Sequence, residues 1–399
     1  MGTVIRGRVI QIKNEAFLLQ NEAETRSVKV KVSDGISVGD LVEIKDGYPT
    51  LLTPNRTPTK TMKWMSETLN PRRLHATRIR HQVESGIREF FLSQGFHETR
   101  TPLIVPCPGM ETHIRPFQVR STAHPNTLAF LPTSPEFAMK RLLVGGLEKI
   151  FQLSSAFRDE PTSPTHQPEF TMLEWYRAYA DYENIMHDTE RLFEFLAMKL
   201  FQKPTLTFQG QEISVKTPWP RLKVRDLFQE YAGVDLVRHS TQALLANESK
   251  RLGLPVNSED TWDDLYFKIW LNLIEPKLPA NRAVFVTRYP TSQAALAKID
   301  EDSDGSRWAR RFELYAGGVE LGNAFDELTD PYEQRKRFIE DMELREKIYG
   351  PGFPKNPLDE GFLAALEEGM PPSGGIAVGV DRMVMLFSNE AEISYTRWL

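Results

Sequence analysis

Three stretches of the 399-residue chain carry side chains suited to chemistry. The first is Phe157-Arg158-Asp159-Glu160, followed by His166-Gln167-Pro168-Glu169-Phe170-Thr171-Met172-Leu173-Glu174-Trp175-Tyr176. Arg158 offers an always-charged, forked donor of the kind that suits a phosphate. Glu160 offers an edge partner for a purine and Phe170 a flat face. Taken alone, Phe157-Arg158-Asp159-Glu160 reads rather as a solvated loop entering a strand. The second is Glu313 and Glu320, with Gly317-Gly318 between them. Seven residues apart on one strand, the two acids would face opposite ways. A hairpin turn at the glycines would instead set two strands side by side and bring the carboxylates together. Such a pair repels unless a cation lies between, and Mg²⁺ with a nucleotide is the usual one. Two surface glutamates are the plain alternative. The third is Gly374-Gly375-Ile376-Ala377-Val378-Gly379-Val380-Asp381-Arg382-Met383, an apolar, glycine-rich strand entering a helix. Its small residues admit a ligand close to the backbone. Arg382 at the junction could meet phosphate or stack on a purine, or pair structurally with Asp381.

These residues need a frame. Residues 1–55 read as five short strands with turn signals at 21–24, Asp34-Gly35 and Asp46-Gly47, which suggests a very small, OB-like barrel. Residues 1–60 hold nine Lys/Arg and seven Asp/Glu, with Phe17 and Tyr48 the only aromatics, which favours a packing or docking module over a base-stacking one. Residues 56–72, with Pro58 and Pro71 among Thr, Arg and Lys, have linker composition. A long helix follows, with Ile79, Val83, Ile87, Phe90 and Phe91 on one side. Gly95 ends it, and a strand over Glu98–Val105, broken by Pro102, is expected next. From 73 to 399 helices and strands are mixed without a βαβ repeat, so the fold class is α+β with an antiparallel sheet. Neither common phosphate loop, GxxxxGK[ST] or GxGxxG, occurs. Cys107 is the only cysteine, which excludes an internal disulfide and a cysteine-based zinc site. The net charge of −5 gives no global basic field for nucleic acid. The longest apolar runs, such as Ile376–Val380, are too short to cross a bilayer. No secretory signal is expected at Met1-Gly2-Thr3-Val4-Ile5-Arg6, and the cytoplasm is the default compartment.

In their order and joint presence, the three stretches resemble the motifs of class II aminoacyl-tRNA synthetases. Gly95–Pro102 after the long helix resembles motif 1, the dimer element; Arg158–Tyr176 resembles motif 2; Gly379-Val380-Asp381-Arg382 resembles motif 3. The resemblance covers about residues 70–399 and is closest to the lysyl-tRNA synthetase branch, notably in PEFTMLEWYRAYADY at 168–182. It implies a class II antiparallel sheet with flanking helices, a homodimer, and ATP with Mg²⁺. Arg158 would hold the α-phosphate, Glu160 the adenine amino group, and Phe170 with Arg382 the two faces of the ring. Arg382 would also reach the γ-phosphate, His166 would lie near the phosphates, and Glu313 and Glu320 would bind Mg²⁺. Ser134, Glu136, Glu174, Tyr176, Asn323, Phe325 and Glu327 match the lysine pocket, with Glu174 and Glu327 toward the ε-ammonium and Glu136 toward the α-amino end.

Some positions depart from the synthetase. The N-terminal barrel is short. Ala377 stands where the synthetase has glycine, Ser134 where alanine is usual, and Ser292-Gln293-Ala294-Ala295-Leu296-Ala297 in place of a Ser-Pro-Leu-Ala run. These departures match a truncated paralogous family that attaches (R)-β-lysine to a lysine side chain of translation elongation factor P; that family is usually little more than the catalytic domain, so the module at 1–55 departs from it. The expected activity is therefore ATP-dependent activation of lysine or (R)-β-lysine and transfer to that protein. The alternative is a shortened lysyl-tRNA synthetase charging tRNA. Pro161, Pro164, Thr165 and Gln167 in the motif 2 loop differ from both families and leave few basic groups there for tRNA.

Overall fold

The computed structural model describes residues 4–13, 16–22, 24–31, 35–56, 63–123, 127–350 and 356–398. They divide into two compact units, residues 1–77 with 397–399, and residues 78–396.

The first unit contains strands β1 (Val4–Lys13), β2 (Ala16–Gln20), β3 (Thr25–Lys29), β4 (Leu41–Lys45) and β5 (Tyr48–Thr53), in the sheet order β3-β2-β1-β4-β5. Alternate residues of β2 and β4 are buried, as period-two strands with one wet face require. Val9, Phe17, Leu19, Val42 and Ile44 form the small core. The Lys31 amide donates to the Gly47 carbonyl at 2.8 Å and the Lys31 ammonium lies 4.6 Å over the Tyr48 ring, so the two ends of the sheet meet in an OB-like manner. Phe17 is fully buried and unavailable for stacking; Tyr48 is exposed. The expected Asp34-Gly35 turn falls partly outside the described residues. Helix α1 (Lys63–Thr68) lies in the stretch that reads as linker.

Helix α2 (Pro71–Ser93) starts on a proline, which suits a first turn whose N–H needs no partner. It buries Ile79, Val83, Ile87, Phe90 and Phe91, as their spacing requires. Gly95, at φ +77°, accepts the left-handed turn that ends the segment. Strand β6 is only His97–Glu98, shorter than the expected Glu98–Val105. Thr99 still bonds the Phe151 carbonyl, but Pro102 and Pro106 have no amide to continue the ladder, and Val105 makes a lone bridge to Phe130.

The remaining elements are β7 (Gln118–Arg120), β8 (Leu128–Phe130), α3 (Glu136–Val144), β9 (Lys149–Phe157), β10 (Glu169–Ala178), α4 (Tyr182–Phe201), β11 (Thr205–Phe208), β12 (Gln211–Ser214) and β13 (Arg221–Lys223). Then come α5 (Val224–Ala232), α6 (Gln242–Arg251), α7 (Trp262–Ile269), β14 (Val284–Pro290), β15 (Ile299–Glu301), β16 (Arg307–Ala316), β17 (Val319–Asp326), α8 (Pro331–Tyr349), α9 (Glu360–Gly369), β18 (Ser373–Gly379) and α10 (Val380–Ser388). The large sheet runs β13-β14-β16-β17-β18-β10-β9-β6, with β15 beside β16. It is antiparallel except at its two ends, where β13 and β6 pair parallel with their neighbours. The fold is α+β, as expected.

One sheet face is apolar. Leu173, Trp175, Phe312, Leu314, Ala324, Ile376 and Val378 pack with residues of α2, α4 and α10 into the main core. Alternation along each strand then sends their neighbours, including Glu174, Ala377, Asn323 and Glu313, to the other face. The Asp181 side chain caps α4 by accepting from the Glu183 and Asn184 amides.

Candidate active site

The register of the sheet builds the site. Gln152 pairs with Glu174, Glu174 with Ala377, Ala377 with Asn323, and Asn323 with Glu313. Directly paired residues share a face, so these five form one rung across β9, β10, β18, β17 and β16. Two residues along, Ile150, Tyr176, Gly375, Phe325 and Arg311 form a parallel rung on the same face. Glu320 joins them through an irregularity. The Leu314–Gly322 pair is followed by Tyr315–Glu320, so Leu321 is an extra residue in β17. In a regular hairpin Glu320 would face away from Glu313; the bulge turns it to the same face. The glycine turn between the two strands is also present, with Gly317 at φ +62° and Gly318 at φ +74°.

At one end of the rungs lies a pocket of buried charge. The Ser134 hydroxyl donates to Glu174 Oε1 at 2.5 Å and the Tyr176 hydroxyl donates to Glu174 Oε2 at 2.9 Å. Ser134 Oγ also accepts from the Glu136 amide at 3.0 Å, which ties the start of α3 to β10. Lys140, one turn along α3 and fully buried, pairs with Glu136 and lies 2.5 Å from Glu327 Oε2. Glu327 Oε1 is buried without a hydrogen-bond partner. Burial and the Glu136 charge lift Glu174 to about 8, and burial lifts Glu327 to about 8. Burial works against the Lys140 charge, but Glu136 and Glu327 more than offset it and hold the ammonium ionised. Two carboxylates thus pair with one ammonium, and Glu174 lies near enough for its charge to feel it. Gly375 is the closest backbone: a β-carbon there would lie 2.3 Å from the Tyr176 ring and 2.4 Å from Glu327 Oε1, so no side chain fits. Ala377, half-buried, carries the only methyl on the central strand between Glu174 and Asn323.

Along the strands from this pocket, where β9 and β18 end and β10 begins, lies a region rich in arginine. Arg382 Nη2 meets His166 Nε2 at 2.7 Å, and Arg382 Nη1 donates to the Glu320 carbonyl at 2.7 Å. Burial and the Arg382 charge lower the His166 pKa, so the ring is neutral and accepts from the guanidinium. Glu160 lies close enough for its charge to oppose that shift. The Arg158 guanidinium stacks 5.2 Å over the Phe170 ring. The neighbour of Arg382 is structural: Asp381 pairs with Arg80 at 2.5 Å and accepts from the Thr171 amide at 2.6 Å, which fixes the start of β10.

Burial and the Glu313 charge lift Glu320 to about 7, with Arg382, Arg311 and Arg158 pulling the other way. Two same-face carboxylates whose repulsion already shows are hard oxygen donors, a set that fits Mg²⁺. Glu313 is held by Arg311 at 2.6 Å and by the hydroxyls of Tyr289 and Tyr315 at 2.6 and 2.9 Å. Among the described residues no group of three or more His, Cys, Asp or Glu is placed to hold a metal ion. A divalent cation here would draw its other ligands from phosphate oxygens and water.

Arg311 and Lys140 did not stand out in the sequence. Arg311 links the two ends: it donates to Asn323 Oδ1 at 3.0 Å, to the Gln293 carbonyl at 2.9 Å and to Glu313. That bond fixes the Asn323 amide with its oxygen on Arg311 and its NH₂ free to turn elsewhere. For Lys140 a signal existed, a lysine four residues after Glu136 on the apolar side of a helix.

The fold and its site define a class II synthetase domain. The sequence model of the family described as tRNA synthetases class II (D, K and N) matches residues 58–398, and the chain belongs to that family. Among its relatives is the lysine–tRNA ligase of Pelotomaculum thermopropionicum, 37% identical over 327 residues, 82% of this chain and 63% of that protein. The lysine–tRNA ligase of Carboxydothermus hydrogenoformans is 37% identical over 325 residues, 82% of this chain and 65% of its own. That of Agrobacterium fabrum is 40% identical over 320 residues, 79% and 61%. The chain therefore matches under two thirds of the length of these relatives. No helix among the described residues is long and apolar enough to cross a membrane.

Proposed function

We propose that this protein is an ATP-dependent ligase that activates a lysine-type diamino acid as its adenylate and passes the acyl group to a second molecule. The observation that carries the reading is the pocket in which Glu136 and Glu327 pair with the single ammonium of Lys140 while a third buried acid, Glu174, has only the Ser134 and Tyr176 hydroxyls as partners. Buried carboxylates in such excess call for a cationic ligand. Glu174 and Glu327 suit a terminal ammonium, Glu136 the amino group nearer the carboxylate, and Asn323 and Phe325 the chain between. Its carboxylate then points along β10 toward Phe170 and Arg158, past the end of β9. That oxygen, already ionised, attacks the α-phosphorus and pyrophosphate leaves, so the residues position and neutralise rather than move a proton. Arg158 and Arg382 offset phosphate charge, and Phe170 and Glu160 take the adenine. Mg²⁺ at Glu313 and Glu320 would neutralise the departing pyrophosphate.

Two acceptors have support. The relatives' names back tRNA the more directly, and on that reading the chain is a shortened lysyl-tRNA synthetase. Ala377 and Ser134, with Phe17 of the short N-terminal module buried away from any base, favour a protein amine, as on elongation factor P carrying (R)-β-lysine. One reaction separates them: protein, ATP, Mg²⁺, lysine or (R)-β-lysine, unmodified elongation factor P and bulk tRNA. Acyl label on tRNA establishes the synthetase; label on the protein establishes the modification ligase. ATP–pyrophosphate exchange with neither isomer refutes the activation step itself.

A further inference from the structure

Two buried tyrosines grip the same oxygen of Glu313. Its Oε2 accepts from the Tyr289 hydroxyl at 2.6 Å and from the Tyr315 hydroxyl at 2.9 Å, while Oε1 accepts from Arg311 Nη2 at 2.6 Å. Arg311, Glu313 and Tyr315 share a face because they alternate along β16. Tyr289 arrives by another route. Val286 pairs with Glu313, and regular alternation would put Tyr289, three residues on, on the opposite face. The register of β14 against β16 shifts between Thr287 and Tyr289, and the Tyr289 hydroxyl reaches Glu313. Arg288, inside the shift, is held in the left-handed region at φ +64°. A non-glycine residue there costs energy and persists only where its surroundings hold it; Asp300, at 3.0 Å, and Asp302 pair with the Arg288 guanidinium. Both tyrosine rings are packed in one core with Tyr266 of α7 and with Trp270, whose ring lies 6.4 Å from that of Tyr289.

An ionised carboxylate offers about four lone-pair sites, two on each oxygen. The two hydroxyls fill those of Oε2 and Arg311 takes one of Oε1, so a single site on Oε1 is left. Glu320 is held far less: its one ion pair among the described residues is the weak approach of Arg382 Nη1 at 3.9 Å. We infer that Tyr289 and Tyr315 are positioning residues that confine Glu313 to single-oxygen coordination through Oε1, and that this selects Mg²⁺ over Ca²⁺. The inference rests on the nucleotide and Mg²⁺ reading above. Mg²⁺ is small, demands near-octahedral geometry and accepts single carboxylate oxygens, whereas Ca²⁺ is larger and readily takes both oxygens of one carboxylate. With Oε2 saturated, Glu313 cannot offer the second oxygen.

The test uses enzyme, Mn²⁺ and ATP without amino acid, so that nothing turns over, with ATP and Mn²⁺ alone run in parallel. The Mn²⁺ electron paramagnetic resonance signal reports the concentrations at which Mg²⁺ and Ca²⁺ displace half of the enzyme-bound ion. Phenylalanine keeps each ring and removes only its hydroxyl. In the double variant Tyr289→Phe, Tyr315→Phe the ratio of the Ca²⁺ midpoint to the Mg²⁺ midpoint should fall about 10-fold, the worth of a hydrogen bond to a charged group. A merely structural role would weaken both ions alike, so an unchanged or increased ratio overturns the inference. Should the double variant fail to fold, Tyr315→Phe alone frees one site on Oε2 and should move the ratio the same way by less; no movement there overturns it equally. A wild-type signal no different from that of ATP and Mn²⁺ alone removes the cation from Glu313 and Glu320, and the tyrosines' role with it. Lysine-dependent pyrophosphate exchange measured beside it shows whether the activation reading stands regardless.

Discussion

Glu174 and Ala377 are direct partners across β10 and β18, so the methyl of Ala377 stands beside the carboxylate that Ser134 and Tyr176 hold in place. Removing that methyl widens the pocket without touching its hydrogen bonds. Ala377→Gly should raise kcat/KM for α-lysine relative to (R)-β-lysine by about 10-fold or more, since one methyl in a tight pocket is worth about 1–3 kcal/mol. Unchanged isomer preference in pyrophosphate exchange would remove the main residue-level reason for a β-amino acid substrate.

Neighbours 381 and 382 should fail in different ways. Asp381 is buried, pairs with Arg80 and holds the Thr171 amide, so Asp381→Ala should cost about 3 kcal/mol of stability. Arg382 bonds only His166 and two backbone carbonyls, those of Thr165 and Glu320, beyond its weak approach to the Glu320 carboxylate. Arg382→Ala should leave the melting temperature nearly unchanged and lower pyrophosphate exchange at least about 10³-fold. Normal exchange by that variant would contradict the nucleotide assignment.

The pocket acids make an argument about pH. Glu174 and Glu327, lifted to about 8, lie above the ordinary value of 4.5. The folded state therefore holds protons that the unfolded chain has released. The stability tied to these acids is complete below about pH 4.5 and is lost as pH rises through about 8. A cationic ligand prefers the ionised acids, so its stabilising effect grows over the same interval. Thermal melts at pH 6 and 8.5 should show a larger shift by lysine at the higher pH, and Glu174→Gln should flatten the difference. A larger shift at pH 6 would reverse the assigned direction.

The bulge at Leu321 can be tested through Mg²⁺. Glu320→Gln removes one of two same-face carboxylates and should raise the Mg²⁺ concentration for half-maximal exchange several-fold. Alanine-for-leucine exchange at the bulge, Leu321→Ala, keeps the residue count and should leave that requirement unchanged. A Glu320→Gln variant with wild-type Mg²⁺ dependence would place the cation elsewhere.

The candidate residues stood out in the sequence because each is a residue type with few other reasons to occupy its place. Phosphate chemistry wants Arg158 and Arg382, and an ammonium wants Glu174 and Glu327. The helix over Pro71–Ser93 was legible from its apolar spacing. The common face of Glu313 and Glu320 needed more than parity, because the extra residue Leu321 reverses the alternation and no residue type announces it. The strand expected at Glu98–Val105 was too long, since apolar and β-branched residues there sit in a proline-broken loop instead. Lys140 and Arg311 escaped because buried charges are recognised by partners remote in sequence, Glu327 for Lys140 and the Gln293 carbonyl for Arg311.

The rung from Glu174 through Ala377 and Asn323 to Glu313 also has a length. Adjacent strands lie about 4.8 Å apart, so three steps set these two carboxylate positions about 14 Å apart at the backbone. Hydrogen bonds between strands hold that span, and it can change only in whole strands. A ligand that reaches from one glutamate to the other is thus measured against a fixed gauge. Side-chain substitutions alter what each mark on the gauge recognises, while the distance between marks belongs to the sheet.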